Sequence, residues 1–182
     1  MRKINEIFYS LQGEGFHTGT PAVFVRFAGC NLRCPFCDTD HTTGTDLTDA
    51  DIVAEVEAYP ARMVVLTGGE PALSVDRALV DLLHARGKYV CIETNGTLPV
   101  PEPIDWVTCS PKMPAGEVKV RHIDELKLVY QGQDITPYEA LPARHFFLQP
   151  CSGLNIRETI DCILAHPRWR LSLQTHKMVG IR

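Results

Sequence analysis

The sequence predicts an α/β domain on a mainly parallel sheet: an abbreviated, open, partial (β/α) barrel with about six parallel strands and three main helices. Three observations lead there. Short apolar runs alternate with amphipathic stretches of helical period, the pattern of successive β–α–β units. The chain has 182 residues, too few for a complete eight-stranded barrel, which takes ~250. The polar motifs all follow strand ends, and in parallel α/β folds those ends open on one face, where ligands bind. One site is therefore expected, in one domain spanning residues 1–182.

In chain order, Ile4 to Ser10 reads as a short strand, followed by Leu11-Gln12-Gly13-Glu14-Gly15. Glycines on both sides of Glu14 suggest positive φ or close ligand approach. No helix follows and a third glycine is missing, so this is not a dinucleotide fingerprint. Pro21 opens the apolar strand Ala22 to Ala28, with Arg26 inside it, and a cysteine loop and a polar connection from Asp40 to Asp46 come next. Thr48 is a good N-cap for a helix to about Tyr59, with Ile52, Val53 and Val56 on one face. Met63 to Leu66 is a buried strand running into Thr67-Gly68-Gly69-Glu70-Pro71.

Ser74 is expected to cap a second helix with Ala78, Leu79, Leu82 and Leu83 as its apolar stripe and Gly87 at its end. Lys88 to Ile92 forms the next strand, ending in Glu93-Thr94-Asn95-Gly96. Pro99, Pro101 and Pro103 exclude regular structure before the strand Trp106 to Cys109, which leads into Ser110-Pro111-Lys112. Leu126 to Tyr130 and Phe146 to Leu148 are further strands, the latter followed by Gln149-Pro150-Cys151-Ser152. Asn155 is expected to cap a third helix with Ile156, Ile160, Ile163 and Leu164 inward, and Leu171 to Gln174 to form the last strand.

Composition narrows the function. The net charge of −4 gives no electrostatic footprint for nucleic acid or an anionic membrane. No apolar run approaches the ~20 residues that span a bilayer, and Met1 to Glu6 lacks the apolar core of a signal peptide, so a cytoplasmic location is expected. Seven cysteines, three of them clustered, fit a metal site in a reducing compartment better than a disulfide framework.

The clustered cysteines are Cys30, Cys34 and Cys37, at CxxxCxxC spacing. Thiolates this close can converge on one centre. Structural zinc and iron–sulfur clusters normally take four protein ligands, whereas a catalytic centre keeps a position open. A [4Fe–4S] cluster held by three thiolates leaves one iron free. The alternative is a zinc or iron–sulfur binding module completed by Cys91, Cys109, Cys151 or Cys162. Arg26, read alone, is an ion-paired structural residue.

The cysteine loop, with Phe36 between its last two cysteines, and the Thr67 to Pro71 loop together resemble the radical S-adenosylmethionine (SAM) superfamily. That resemblance implies a barrel of the radical SAM type and a [4Fe–4S] cluster whose open iron binds SAM. Leu11 to Gly15, Phe24-Val25-Arg26, Cys37-Asp38-Thr39 and Gln174-Thr175-His176-Lys177 resemble one family within it, the 7-carboxy-7-deazaguanine synthases of the queuosine pathway. The likeness runs from Asn5 to the C-terminus. It implies a lyase that contracts 6-carboxy-5,6,7,8-tetrahydropterin to 7-carboxy-7-deazaguanine with loss of ammonia, SAM being regenerated.

Roles then follow by resemblance. Cys30, Cys34 and Cys37 would hold the cluster and Thr39 would bind Mg²⁺, a hard cation that takes oxygen ligands. Phe36, Cys37, Asp38, Gly68, Gly69, Glu70, Glu93, Asn95, Ser110 to Lys112 and Gln149 to Ser152 would form the SAM site, with Glu70 accepting from an ammonium. Leu11, Gln12, Gly13, Glu14, Arg26, Thr67, His176 and Arg182 would contact the substrate. A homodimer and an electron donor of flavodoxin or ferredoxin type are also implied. The chain ends in Arg182 where family members often end in proline. The competing enzyme reading is a glycyl-radical activating enzyme, which shares the cysteine motif but acts on a protein.

Overall fold

The computed structural model describes residues Met1–Arg182. Its strands are β1 (Arg2–Leu11), β2 (Pro21–Phe27), β3 (Thr45–Leu47), β4 (Met63–Gly68), β5 (Tyr89–Thr94), β6 (Trp106–Cys109), β7 (Ile123–Tyr130), β8 (Ala143–Pro150) and β9 (Arg170–Leu171). They form one sheet in the order β3-β1-β2-β4-β5-β6-β7-β8-β9. From β2 to β9 every pairing is parallel, while β1 runs antiparallel to both β2 and β3. The expected open α/β architecture is present, its six longer parallel strands extended by the two-residue β9. The antiparallel margin is additional, and β3 falls where a polar connection was expected to end.

Helices α1 (Asp49–Glu57), α2 (Arg77–His84) and α3 (Ile156–Ala165) follow β3, β4 and β8, and a short α4 (Thr175–Val179) follows β9. Thr48 caps α1 as expected: its hydroxyl accepts from Asp51 N–H at 3.1 Å, and Asp51 returns the bond to Thr48 N–H at 2.9 Å. The start of α2 differs. Asp76 caps it, accepting from Leu79 N–H at 3.1 Å, because Pro71–Leu73 forms a separate 3-10 turn that Ser74 ends. Leu79, Val80 and Leu83 are its buried face, whereas Ala78 and Leu82 are exposed.

Helix α3 is also set differently. Thr159 is its one buried residue, while Ile156 and Leu164 are exposed. Asn155 holds the N-cap position as expected but makes no side-chain capping bond, since its side chain bridges the Cys151 N–H and the Tyr130 carbonyl, at 2.8 and 2.9 Å. The expected strand Leu171 to Gln174 is cut to Arg170–Leu171. Thr175 N–H instead bonds Gly13 at 2.9 Å, drawing the chain off the sheet edge.

Strand alternation separates two environments. Val64, Leu66, Val90, Ile92, Leu126 and Leu128 face the helices and pack with Ile52, Val56, Leu79 and Leu83 in the large core. The other face carries a smaller apolar cluster around Phe8, Phe24, Val65, Cys91 and Trp106. Phe16 and His17 pack on Trp106, with ring centroids 4.9 and 4.5 Å away. Above this apolar floor the same strands turn polar, and the site begins.

Candidate active site

A cavity of about 610 Å³ opens at the C-terminal ends of the parallel strands. The cysteine loop lies along one part of its wall. Gly29, at φ +88°, starts that loop, and its N–H bonds His41 at 2.7 Å. Cys37 N–H bonds the Cys34 carbonyl at 3.1 Å, and Cys30 Sγ accepts the Leu32 N–H at 3.4 Å. Cys30, Cys34 and Cys37 are all free, and all line the cavity.

The Gly68-Gly69-Glu70 loop clamps the start of the cysteine loop. Gly69 N–H bonds Phe27, and Glu70 N–H bonds Gly29, at 3.1 and 2.9 Å. A Cβ on Gly69 would overlap the Gly29 carbonyl and press on Cys30 Cβ at 3.0 Å. Glycine is therefore required for the two loops to meet. Asn95 adds a further tie, its side-chain amide donating to Asn31 Oδ1 at 3.0 Å.

These residues fit a [4Fe–4S] cluster better than a single ion. No three His, Cys, Asp or Glu side chains are gathered closely enough to hold one metal ion. Zinc, with bonds of about 2.3 Å, needs its thiolates drawn tightly together, whereas a cubane takes them at separate corners. Cys91 and Cys109 do not complete a tetrad either, since Cys91 lies in the inner apolar cluster and Cys109 in the large core, whereas Cys151 shares the cavity. Burial pushes the Cys109 thiol up to about 12.

Elsewhere in the cavity a charged cluster replaces the thiols. Lys127 Nζ lies 2.5 Å from Glu14 Oε2 and 3.7 Å from Glu93 Oε1. Glu14 Oε1 accepts from Gln174 at 2.9 Å, and Glu93 accepts from Gln12 and Thr67, both at 3.0 Å. Burial opposes ionisation of Glu14, but Lys127 outweighs it and holds the carboxyl below its ordinary range. Burial likewise opposes the Lys127 charge, and the carboxylates of Glu14, Glu93 and Glu125 push it up instead. Arg26 reaches the cavity from β2 paired to Glu6 at 2.9 Å, and the Arg182 guanidinium also pairs with Glu6.

Of the residues singled out from sequence, all but Glu70 and Pro111 line this one cavity. Glu70 lies behind the wall. It is 1% exposed, and its carboxylate accepts from Ala72 N–H, Thr94 Oγ1 and Asn95 N–H at 3.0, 2.7 and 2.7 Å. It holds the loop together from beneath, outside the cavity lining. Pro111 is buried between Ser110 and Lys112, which do line the wall. Lys127 and Glu6 line the cavity without a role foreseen from sequence, as do Gln174 and Lys177, quoted there only as part of a motif. Lys127 carried a legible signal: on the strand Ile123–Tyr130 it shares one face with Glu125, while Leu126 and Leu128 alternate with it on the other.

A partial parallel barrel with a three-thiol loop at its ligand face defines a protein of the radical SAM class, and residues 24–108 match the Radical SAM superfamily model. The chain is 67% identical to a 7-carboxy-7-deazaguanine synthase of Bacteroides thetaiotaomicron, over 100% of both chains. It is 47% identical to the one from Nitratidesulfovibrio vulgaris, over 98% of both. A crystal structure of QueE from Escherichia coli superposes with TM-score 0.78 at 33% identity, covering 95% of this chain and 93% of that one. The chain belongs to the 7-carboxy-7-deazaguanine synthase family. It is an enzyme of the lyase type, with a [4Fe–4S] cluster and SAM as the cofactors of its class. The glycyl-radical activating alternative is not favoured. No helix is long and apolar enough to cross a membrane.

Proposed function

We propose that the protein converts 6-carboxy-5,6,7,8-tetrahydropterin to 7-carboxy-7-deazaguanine with loss of ammonia, as one radical SAM domain over residues 1–182. The observation that carries this reading is a single cavity shared by the three-thiol loop and the Glu14–Lys127–Glu93 cluster. When bound, the cluster and SAM supply one-electron cleavage of a carbon–sulfur bond and hence a radical able to abstract hydrogen.

Cys30, Cys34 and Cys37 hold the cluster. Gly68 and Gly69 admit SAM's methionine end, while Phe36 to Asp38, Glu93, Asn95, Ser110, Lys112 and Gln149 to Ser152 line the rest of its site. Glu14, with the Leu11 to Gly13 backbone, accepts from the N–H-rich edge of the pterin, and Thr67 and His176 add hydrogen-bonding groups. Arg26 offers the substrate carboxylate a planar fork, exchanging part of its pairing with Glu6. Thr39 gives an oxygen to Mg²⁺. Since no three acidic or imidazole side chains gather at one point, that ion depends on substrate oxygens and water for its other ligands.

The enzyme acts as a homodimer in the cytoplasm, reduced by a flavodoxin or ferredoxin. An anaerobic assay with reconstituted protein, SAM, reductant, Mg²⁺ and the pterin tests the reading. Mass spectrometry should find 7-carboxy-7-deazaguanine and ammonia without proportional SAM loss. SAM cleavage to 5′-deoxyadenosine beside intact pterin overturns the substrate.

A further inference from the structure

Lys127 is 5% exposed, on a strand whose alternate residues Leu126 and Leu128 are core. Its desolvated ion pair is not what stability selects, since apolar side chains of similar volume do as well or better in such positions. Three carboxylates from three elements surround its ammonium: Glu14 after β1, Glu93 on β5 and Glu125 on β7. Glu125 is turned to Phe16, whose N–H it accepts at 3.0 Å, so Glu14 and Glu93 are the pair Lys127 serves at the cavity. Lys112 after β6 and His176 of α4 are the other titratable groups facing this cluster.

We infer that Lys127 is a positioning residue for the reaction, holding Glu14 and Glu93 as fixed anions that read the N–H donor edge of the pterin. Glu93 does so from the boundary the pterin shares with the SAM site, where Gln12 and Thr67 also bond it. The inference rests on the functional reading above. An ionised carboxylate has about four acceptor sites, so the internal partners of Glu14 and Glu93 leave some for a ligand. Without the cation, two buried carboxylates at close range do not both stay ionised. The one that takes a proton presents an O–H donor to the substrate's N–H donors, and recognition fails.

The test is Lys127→Met, Lys127→Gln and Lys127→Arg as reconstituted holoenzymes. KM and kcat for the pterin are followed against pH, with cluster absorbance, SAM cleavage without pterin and thermal melting alongside. Lys127→Met should keep the cluster and raise KM by roughly tenfold at neutral pH, since a carboxyl whose pKa is driven about one unit above the assay pH is only about one-tenth ionised. Its KM should fall as pH rises and the carboxyl ionises, over a range where wild-type KM is flat. Lys127→Arg should restore the flat profile. Lys127→Gln keeps hydrogen bonds without charge and should behave as the methionine variant, which covers a methionine variant that does not fold. Folded neutral variants with wild-type KM and a flat profile overturn the inference alone. Wild-type protein that cleaves SAM but neither binds nor converts the pterin overturns the functional reading, and the inference with it.

Discussion

Thr175 donates twice to the carbonyl oxygen of Gly13, from its hydroxyl at 3.0 Å and from its N–H at 2.9 Å. The bond pair joins α4 to the loop after β1, across the side of the barrel that the sheet leaves open between its β3–β1 edge and β9. Ser172 and Gln174 reinforce it, through the Gly15 N–H at 2.9 Å and Glu14 at 2.9 Å. Closure of this barrel is thus made by a few loop hydrogen bonds rather than a strand ladder. Local opening there is expected to cost far less than global unfolding.

Thr175→Val tests that closure. The variant keeps the backbone bond and the side-chain shape and loses one hydroxyl bond, worth about 0.5–1.5 kcal/mol. Amide exchange in residues 175–179 should accelerate several-fold while the melting temperature scarcely moves. KM for substrate should rise with kcat nearly kept. Unchanged exchange would mean that α4 is held by its other contacts.

Gly69→Ala should be far more damaging than its size suggests. The added methyl meets the Gly29 carbonyl, which is backbone and cannot swing aside, and Cys30 behind it. The cysteine loop must move away from the Gly68–Gly69 turn. Reconstituted variant protein should hold less iron and lose SAM affinity by an order of magnitude or more, with the far-UV spectrum retained. Full iron content and normal SAM binding would show that the loops part without cost.

Much of this was legible in the sequence because local rules and tertiary needs agree there. The Thr48 cap, the Trp106–Cys109 strand and the left-handed Gly87 each follow from chemistry within a few residues. What was missed depends on distant partners. Ser74 and Asp76 are both good caps, and the 3-10 turn ending at Ser74 decides between them. Glu70 sits in a ligand-loop motif, yet its carboxylate is buried and bonds Ala72, Thr94 and Asn95 from beneath. The apolar residues of α3 suggested a buried face, but the helix packs against the β8–β9 margin, where little sheet is left to cover it.

Glu70→Gln replaces an acceptor that meets two N–H groups and a hydroxyl with a side chain that carries its own donors. One buried donor is then unmatched, at about 1–3 kcal/mol. Burial holds the Glu70 carboxyl above its ordinary range, despite the hydrogen bonds to Asn95, Thr94 and Ala72 that favour the anion. A raised folded value means stability fully present below the unfolded value, ~4.3, and lost as pH rises through the folded one. The stability gap between wild type and Glu70→Gln should therefore shrink as pH rises through that window, in denaturant titrations at several pH values. A gap that widens instead would show that the loop prefers the carboxylate.

Thiol footprinting separates the cluster cysteines from the rest. Cys91 is 3% exposed and Cys109 fully buried, and burial raises both thiols far above the pH of an alkylation reaction. Neither should react with iodoacetamide until the protein unfolds. Cys30, Cys34, Cys37 and Cys151 all line the cavity and should be modified in the iron-free protein. Anaerobic reconstitution should then protect Cys30, Cys34 and Cys37 and leave Cys151 reactive, and SAM added afterwards should slow Cys151 as well. Peptide mass spectrometry reads each site separately. Protection of Cys151 by iron alone, before SAM is added, would make it a fourth ligand and remove the open coordination position on which the chemistry depends.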